Sequence, residues 1–220
     1  DLNDAVTKIV KDEILKDKYL NVSNGAVVVL DSKTGEILAM VGSVDYFDIK
    51  NDGYFNTSTA FRLPGSTIKA VTYSLALSKG YKTTSIIDDS PLSIRSGLGF
   101  YTPVNYDGAF HGKVSLRKAL ANSYNIPAVK VLMSFKIDDM VNLGKAMGLT
   151  SWVADGNYGP AITLGGKETR LLDLTNVYAT LARAGVYTNT KPILEIKDAR
   201  GYSIYSDENK KDRVLSEEVS

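Results

Sequence analysis

The chain has 220 residues, 44% of them hydrophobic and 23% charged, with a formal net charge of +1; that is enough for one sizeable domain with room for an N-terminal extension. So balanced a charge gives no reason to expect a nucleic-acid partner, and no run approaches the roughly 18 consecutive apolar residues of a membrane span. The sequence has no cysteine and one histidine, His111, which excludes thiol nucleophiles, disulfides and metal sites built from Cys or several His; no metal and no cofactor is expected.

The chain opens on Asp1-Leu2-Asn3-Asp4, which reads as the start of a domain, with no leader peptide. Residues 5–18 carry Val6, Ile9, Val10 and Ile14 at helical spacing, and Asn21 to Gly25 ends that helix. Residues 26–30 read as a buried strand, 31–35 as a turn and 36–41 as a second strand, giving a β-hairpin. Residues 43–60 are polar and read as loop. A helix is expected from Ser66 to about Ser78, closed by Gly80. Residues 83–112 are rich in Pro, Gly, Asp and Tyr and read as an ordered, loop-rich excursion. A short helix follows from Ser115 to near Ser123, another restarts at Asn125-Ile126-Pro127 with proline in its first turn, and two more span about 138–147 and 168–184. Strand-like segments at 191–197 and 202–205 flank a turn at 198–201. Leu215-Ser216-Glu217-Glu218 has the form of a helix start.

The most informative stretch is Ser66-Thr67-Ile68-Lys69 after Pro64-Gly65. It places a hydroxyl and an amine one helical turn apart on one face, at a helix entry. A serine nucleophile there gains from the free N–H groups and dipole of the helix start, and a desolvated lysine can serve as its neutral base. A chain of this length contains on the order of one Ser-x-x-Lys by chance. The second copy, Ser115-Leu116-Arg117-Lys118, reads as a helix cap followed by surface cations. His111, in Ala109-Phe110-His111-Gly112, reads as a hydrogen-bonded loop residue, so a serine hydrolase here needs lysine as base. Ser123-Tyr124-Asn125, 57 residues after Ser66, offers a hydroxyl able to relay a proton and an amide able to hold a peptide carbonyl. Taken alone it reads rather as a capping pair between two helices.

Together, Pro64-Gly65-Ser66-Thr67-Ile68-Lys69 and Ser123-Tyr124-Asn125 resemble the first two signature motifs of the penicillin-recognising serine enzymes. The flanks are most similar to the transpeptidase domain of class A, bifunctional penicillin-binding proteins: Thr34 to Gly42, Ile87 to Pro91, Tyr101 to Asp107 and Thr163-Leu164-Gly165-Gly166. The resemblance runs from about residue 24 to the end. It implies an α/β fold of the α+β type, with a helical subdomain beside a central antiparallel sheet. It divides the chain into a linker helix, 1–23, and a partial transpeptidase domain, 24–220.

The implied activity is D,D-transpeptidation. Ser66 attacks the D-Ala-D-Ala carbonyl of a peptidoglycan stem peptide, Lys69 is the base, Ser123 passes the proton to the leaving group and Asn125 positions substrate and Lys69. The Ser66 N–H contributes to an oxyanion hole, an amine of a neighbouring stem resolves the acyl-enzyme, and β-lactams acylate the same serine. Implied partners are stem peptides, β-lactams and the remainder of the polypeptide or a complementary chain. The implied location is the outer face of the bacterial cytoplasmic membrane, through an anchor outside these residues.

The family's third motif, a Lys-Thr-Gly on a later strand, does not follow Ser123 in this sequence. Lys33-Thr34-Gly35 precedes Ser66 and reads as turn chemistry with Gly35 at positive φ. The later strand is therefore expected beyond Ser220, the sheet is expected to be incomplete, and the 220 residues alone are expected to be nearly inactive. Two other readings stay open at this point. One is a β-lactamase or D,D-carboxypeptidase, in which water resolves the acyl-enzyme. The other is a non-catalytic peptidoglycan-binding or sensor domain of the same fold.

Overall fold

The computed structural model describes residues 1–96, 99–207 and 211–220. In chain order the regular elements are α1 (Leu2–Lys16), β1 (Val27–Leu30), β2 (Ile37–Val41), β3 (Phe61–Arg62), α2 (Lys69–Ser78), β4 (Ile86–Asp89), β5 (Ile94–Ser96), β6 (Gly99–Tyr101), β7 (Gly112–Ser115), α3 (Leu116–Ala121), α4 (Asn125–Leu132), α5 (Ile137–Ala146), β8 (Thr169–Arg170), α6 (Leu171–Ala182), β9 (Val186–Thr188), β10 (Glu195–Lys197), β11 (Ser203–Ser206) and β12 (Lys211–Arg213). They form two compact units, one of residues 1–62 and 169–214, the other of residues 63–168 and 215–220.

In the first unit β1 and β2 pair antiparallel, Val27 opposite Val41, with an irregularity between Val29 and Leu30. The predicted turn is built from one side chain: Asp31 Oδ1 accepts from the Lys33 and Thr34 N–H groups at 2.8 Å each. Gly35 sits at φ +82°, so Lys33-Thr34-Gly35 is turn chemistry as expected. Helix α1 packs on β2 and α6 on β1, burying Val10, Ala39, Val41 and Val177. Asp1 and Asp4 form a reciprocal capping box at the start of α1.

The second unit is mainly helical. Helix α2 is buried nearly all round, carrying Val71, Tyr73, Leu75 and Ala76 into the core together with the polar Lys69, Thr72 and Ser74. Helices α3, α4 and α5 pack on it. The antiparallel pair β4–β7, with Asp89 opposite Gly112, contributes Ile87 and Val114 to a cluster with Tyr73, Leu116, Ala119 and Tyr124.

Several expectations are corrected. The loop-rich reading of 83–112 gives way to β4, the β5–β6 hairpin and the start of β7, with residues 97–98 lying outside the described residues. The expected loop 43–60 contains one 3-10 turn, Ile49–Asn51. Of the expected strand 191–197 only 195–197 is regular. The pairs β3–β8 and β9–β12 were not legible; each joins two or three residues to a distant segment, too short for a period to show. The 168–184 helix begins at Leu171, because Thr169 and Arg170 pair with β3. At the C-terminus Glu217–Val219 makes one 3-10 turn, without a side-chain cap from Ser216.

Candidate active site

All four predicted site residues lie in the second unit. Gly65, at φ +59°, turns the chain into a 3-10 helix over Gly65–Ile68, and α2 continues from Lys69. The first turn is therefore tighter than the α-turn expected from the sequence. The Lys69 N–H donates to the Ser66 carbonyl. In 3-10 geometry residues three apart are eclipsed, so Ser66 and Lys69 share one line of the helix. Ser66 is exposed and its hydroxyl has no hydrogen bond among the described residues. Lys69, one turn on, is 1% exposed.

Three oxygens surround Lys69 Nζ: the Ser123 carbonyl at 2.5 Å, Ser123 Oγ at 3.0 Å and Asn125 Oδ1 at 2.7 Å. An ammonium has three N–H donors, and here each finds an oxygen. None of these oxygens is a carboxylate, so no opposite charge compensates the loss of water, and burial pushes the Lys69 amine down to about 8. The structure thus brings Lys69, Ser123 and Asn125 into one hydrogen-bonded group and sets Ser66 one turn before it.

The 123–125 turn owes its shape to the end of α3. Ser123 N–H bonds to the Leu120 carbonyl at 2.9 Å and Tyr124 N–H to the Ala119 carbonyl at 3.0 Å. That is the Schellman pattern, whose left-handed position is usually glycine. Here it is Ser123, at φ +54°. A residue with a Cβ in this conformation costs about 1 kcal/mol or more, so the hydroxyl is retained at a backbone position that favours its absence.

Sequence reasoning missed the supports of this site. Asn105 Oδ1 accepts from the N–H groups of Asn125 (2.8 Å) and Ile126 (3.2 Å), and Asn125 Nδ2 donates to the Val104 carbonyl at 2.8 Å. Thr163 Oγ1, buried, pairs with Thr72 Oγ1 at 2.6 Å. Gly165, at φ +90°, lies so close to Gly65 that a Cβ would come within 2.4 Å of the Gly65 nitrogen. Thr163-Leu164-Gly165-Gly166 carries part of the resemblance and no role in the sequence reading; the close approach gives it one, backing the turn that carries Ser66. The other two readings hold: Ser115 Oγ caps α3 through the Lys118 N–H, and His111 is a loop residue bonded to Asp89 through Nδ1 at 2.7 Å.

Residues 25–220 match the family model of the penicillin binding protein transpeptidase domain. Penicillin-binding protein 1A of Rickettsia felis is 33% identical over 189 residues, 85% of this chain and 23% of that protein. The protein of the same name from Neisseria lactamica is 35% identical over 182 residues, 80% of the chain and 22% of that protein. The crystal structure of penicillin-binding protein 1A from Haemophilus influenzae superposes with a TM-score of 0.74 at 29% identity, over 86% of this chain and 28% of that one. An imipenem acyl-enzyme of penicillin-binding protein A from Mycobacterium tuberculosis shares the fold, with a TM-score of 0.79 at 22% identity, over 97% of this chain and 58% of that one. The chain thus spans under a quarter of the length of the two relatives aligned by sequence. Family match, sequence relatives and fold agree, and the chain belongs to the penicillin-binding protein transpeptidase domain family.

Proposed function

We propose that this domain performs D,D-transpeptidation through an acyl-enzyme on Ser66. Lys69 supports this reading most strongly: a buried amine held down to about 8 by burial, one turn from an exposed serine hydroxyl that has no hydrogen-bond partner among the described residues. When Lys69 is neutral, two of its N–H groups suffice for the Ser123 carbonyl and Asn125 Oδ1, and its lone pair is left for a proton. Ser66 Oγ attacks the carbonyl carbon of the penultimate D-Ala while its proton passes to Lys69 Nζ. The carbonyl becomes a tetrahedral oxyanion, which the N–H of Ser66 at the helix start helps to stabilise.

Collapse of that intermediate breaks the C–N bond. The terminal D-Ala nitrogen takes a proton through Ser123 Oγ, which bonds to Lys69 Nζ at 3.0 Å and can accept from the ammonium while donating to the leaving amine. An amine of a second stem peptide then attacks the ester carbonyl; its C–N bond forms, the C–O bond to Ser66 breaks, and the amine's proton returns to Ser66 Oγ by way of Lys69. A β-lactam follows the first half of this path, as the imipenem acyl-enzyme of the M. tuberculosis protein illustrates for that protein.

Stem peptides and β-lactams are the proposed ligands. The proposed setting is the outer face of the bacterial cytoplasmic membrane, by way of a part of the polypeptide outside these residues. Among the described residues no helix is long and apolar enough to cross a membrane. These 220 residues alone are proposed to turn over poorly, since no Lys-Thr-Gly follows Ser123 within them. The test is covalent labelling of the natural polypeptide that carries this sequence by a fluorescent penicillin. Ser66→Ala abolishes the label, and the adduct mass maps to the peptide containing Ser66; labelling that survives Ser66→Ala contradicts the proposal.

A further inference from the structure

We propose that Asn105 is a positioning residue for the Lys69 site: oriented by the buried Asp89 carboxylate, its carboxamide holds the Ser123-Tyr124-Asn125 turn, and that turn supplies the three oxygens around Lys69 Nζ. The catalytic consequence rests on the acyl-transfer reading; the positioning itself does not.

Helix α4 starts at Asn125, and the residue at its cap position, Tyr124, has no side chain able to bond the first N–H groups. Those donors would be orphans in a buried setting. Asn105, 3% exposed and twenty residues upstream, accepts from the first two of them. Its Nδ2 donates to both oxygens of Asp89 at 2.9 Å and to the Ala109 carbonyl at 2.8 Å. The orientation of the amide follows: turned over, its NH2 would face two N–H groups and its oxygen a carboxylate. Asp89 is fully buried and also accepts from the His111 N–H at 3.1 Å and ring at 2.7 Å. That ring stacks on Tyr124, centroids 4.0 Å apart.

Val104, next to Asn105, accepts from Asn125 Nδ2, and Asn125 Oδ1 takes the Lys69 bond. A continuous line of hydrogen bonds therefore runs from Asp89 through the 104–105 segment to Lys69. With Asp at 89, a carboxamide meets every demand at 105. It must accept from two N–H groups on one side and donate to a carboxylate and a carbonyl on the other.

The test uses the polypeptide with 13C at lysine Cε, the Lys69 signal being identified by its loss in Lys69→Met. The variants are Asn105→Ser, the near-isosteric Asp89→Asn, and the donor–acceptor exchange Asp89→Asn/Asn105→Asp. In Asn105→Ser the loosened turn admits water to Lys69, and its titration midpoint moves up from about 8 by a unit or more. The rate of labelling by fluorescent penicillin at pH 7.5, per folded molecule, then falls on the order of ten-fold, since each unit cuts the neutral fraction ten-fold. Asp89→Asn gives the same change in smaller degree, and the exchange recovers part of both. Should Asn105→Ser fail to fold, Asp89→Asn carries the same two readouts.

If these variants lower the melting temperature but leave the midpoint and the rate per folded molecule unmoved, Asn105 is merely structural and the proposal is overturned. If the midpoint moves while even the unsubstituted protein takes no label at Ser66, positioning stands and acyl transfer falls.

Discussion

Ser123 shows how the proposed function and stability divide at a single residue. Its hydroxyl contacts Lys69, yet its backbone at φ +54° favours glycine. Replacement by alanine keeps the strain and loses the hydrogen bond; replacement by glycine loses the same bond and relieves the strain. Ser123→Gly is therefore expected to be more stable than Ser123→Ala by about 1 kcal/mol, measured by urea unfolding, with both variants equally impaired in acylation. Equal stability of the two would mean that the left-handed turn is absent. The local signals of Ser66, Lys69, Ser123 and Asn125 were legible in the sequence because each motif is contiguous. The roles of Asn105 and Asp89 were not: both lie in flanks that carry the resemblance, but neither belongs to a contiguous chemical motif, and their partners lie 16 to 22 residues away.

At the scale of elements, the site is a helix start pinned from two sides. On one side stands the α3–α4 turn. On the other is the 3-10 turn Pro160–Leu164, whose following Gly165 meets the backbone of Gly65. Alanine at 165 carries two penalties: a Cβ within 2.4–2.6 Å of Gly65 main-chain atoms and a φ of +90° that L-residues avoid. Gly165→Ala is expected to cost about 2 kcal/mol or more and to slow acylation through displacement of Ser66; calorimetry and penicillin labelling check the two effects. A variant that melts and labels like the parent would show that the close approach does not exist. The long helices and the β1–β2 hairpin were legible from periodicity and turn residues. The β10–β11 hairpin around its 198–201 turn was legible too; the other short strands were not, β4 for one spending two of its four positions on Asp88 and Asp89, residues depleted in strands. Asp89 is in that strand for its hydrogen bonds to Asn105 and His111.

At the scale of the whole molecule, the buried Lys69 links function to global stability. Its amine titrates near 8 in the folded chain against 10.5 ordinarily, so between those values the unfolded chain binds more protons and stability rises with pH. Below about pH 8 the buried charge costs the folded state roughly 3 kcal/mol, a sizeable share of the 5–15 kcal/mol typical of a domain. The sequence reading rests on Ser66, Lys69, Ser123 and Asn125 meeting at one helix start; Lys69, Ser123 and Asn125 share hydrogen bonds there, and Ser66 stands one turn before Lys69.

The most direct test is the rate of Ser66 acylation by a fluorescent penicillin from pH 6 to 10, with each adduct located by mass. A neutral Lys69 base predicts a rate that climbs about ten-fold per unit at low pH and levels off above a midpoint near 8, and whose rise is lost in Lys69→Arg. A rate that is flat or falling through pH 8, or a rise that survives in Lys69→Arg, would contradict it.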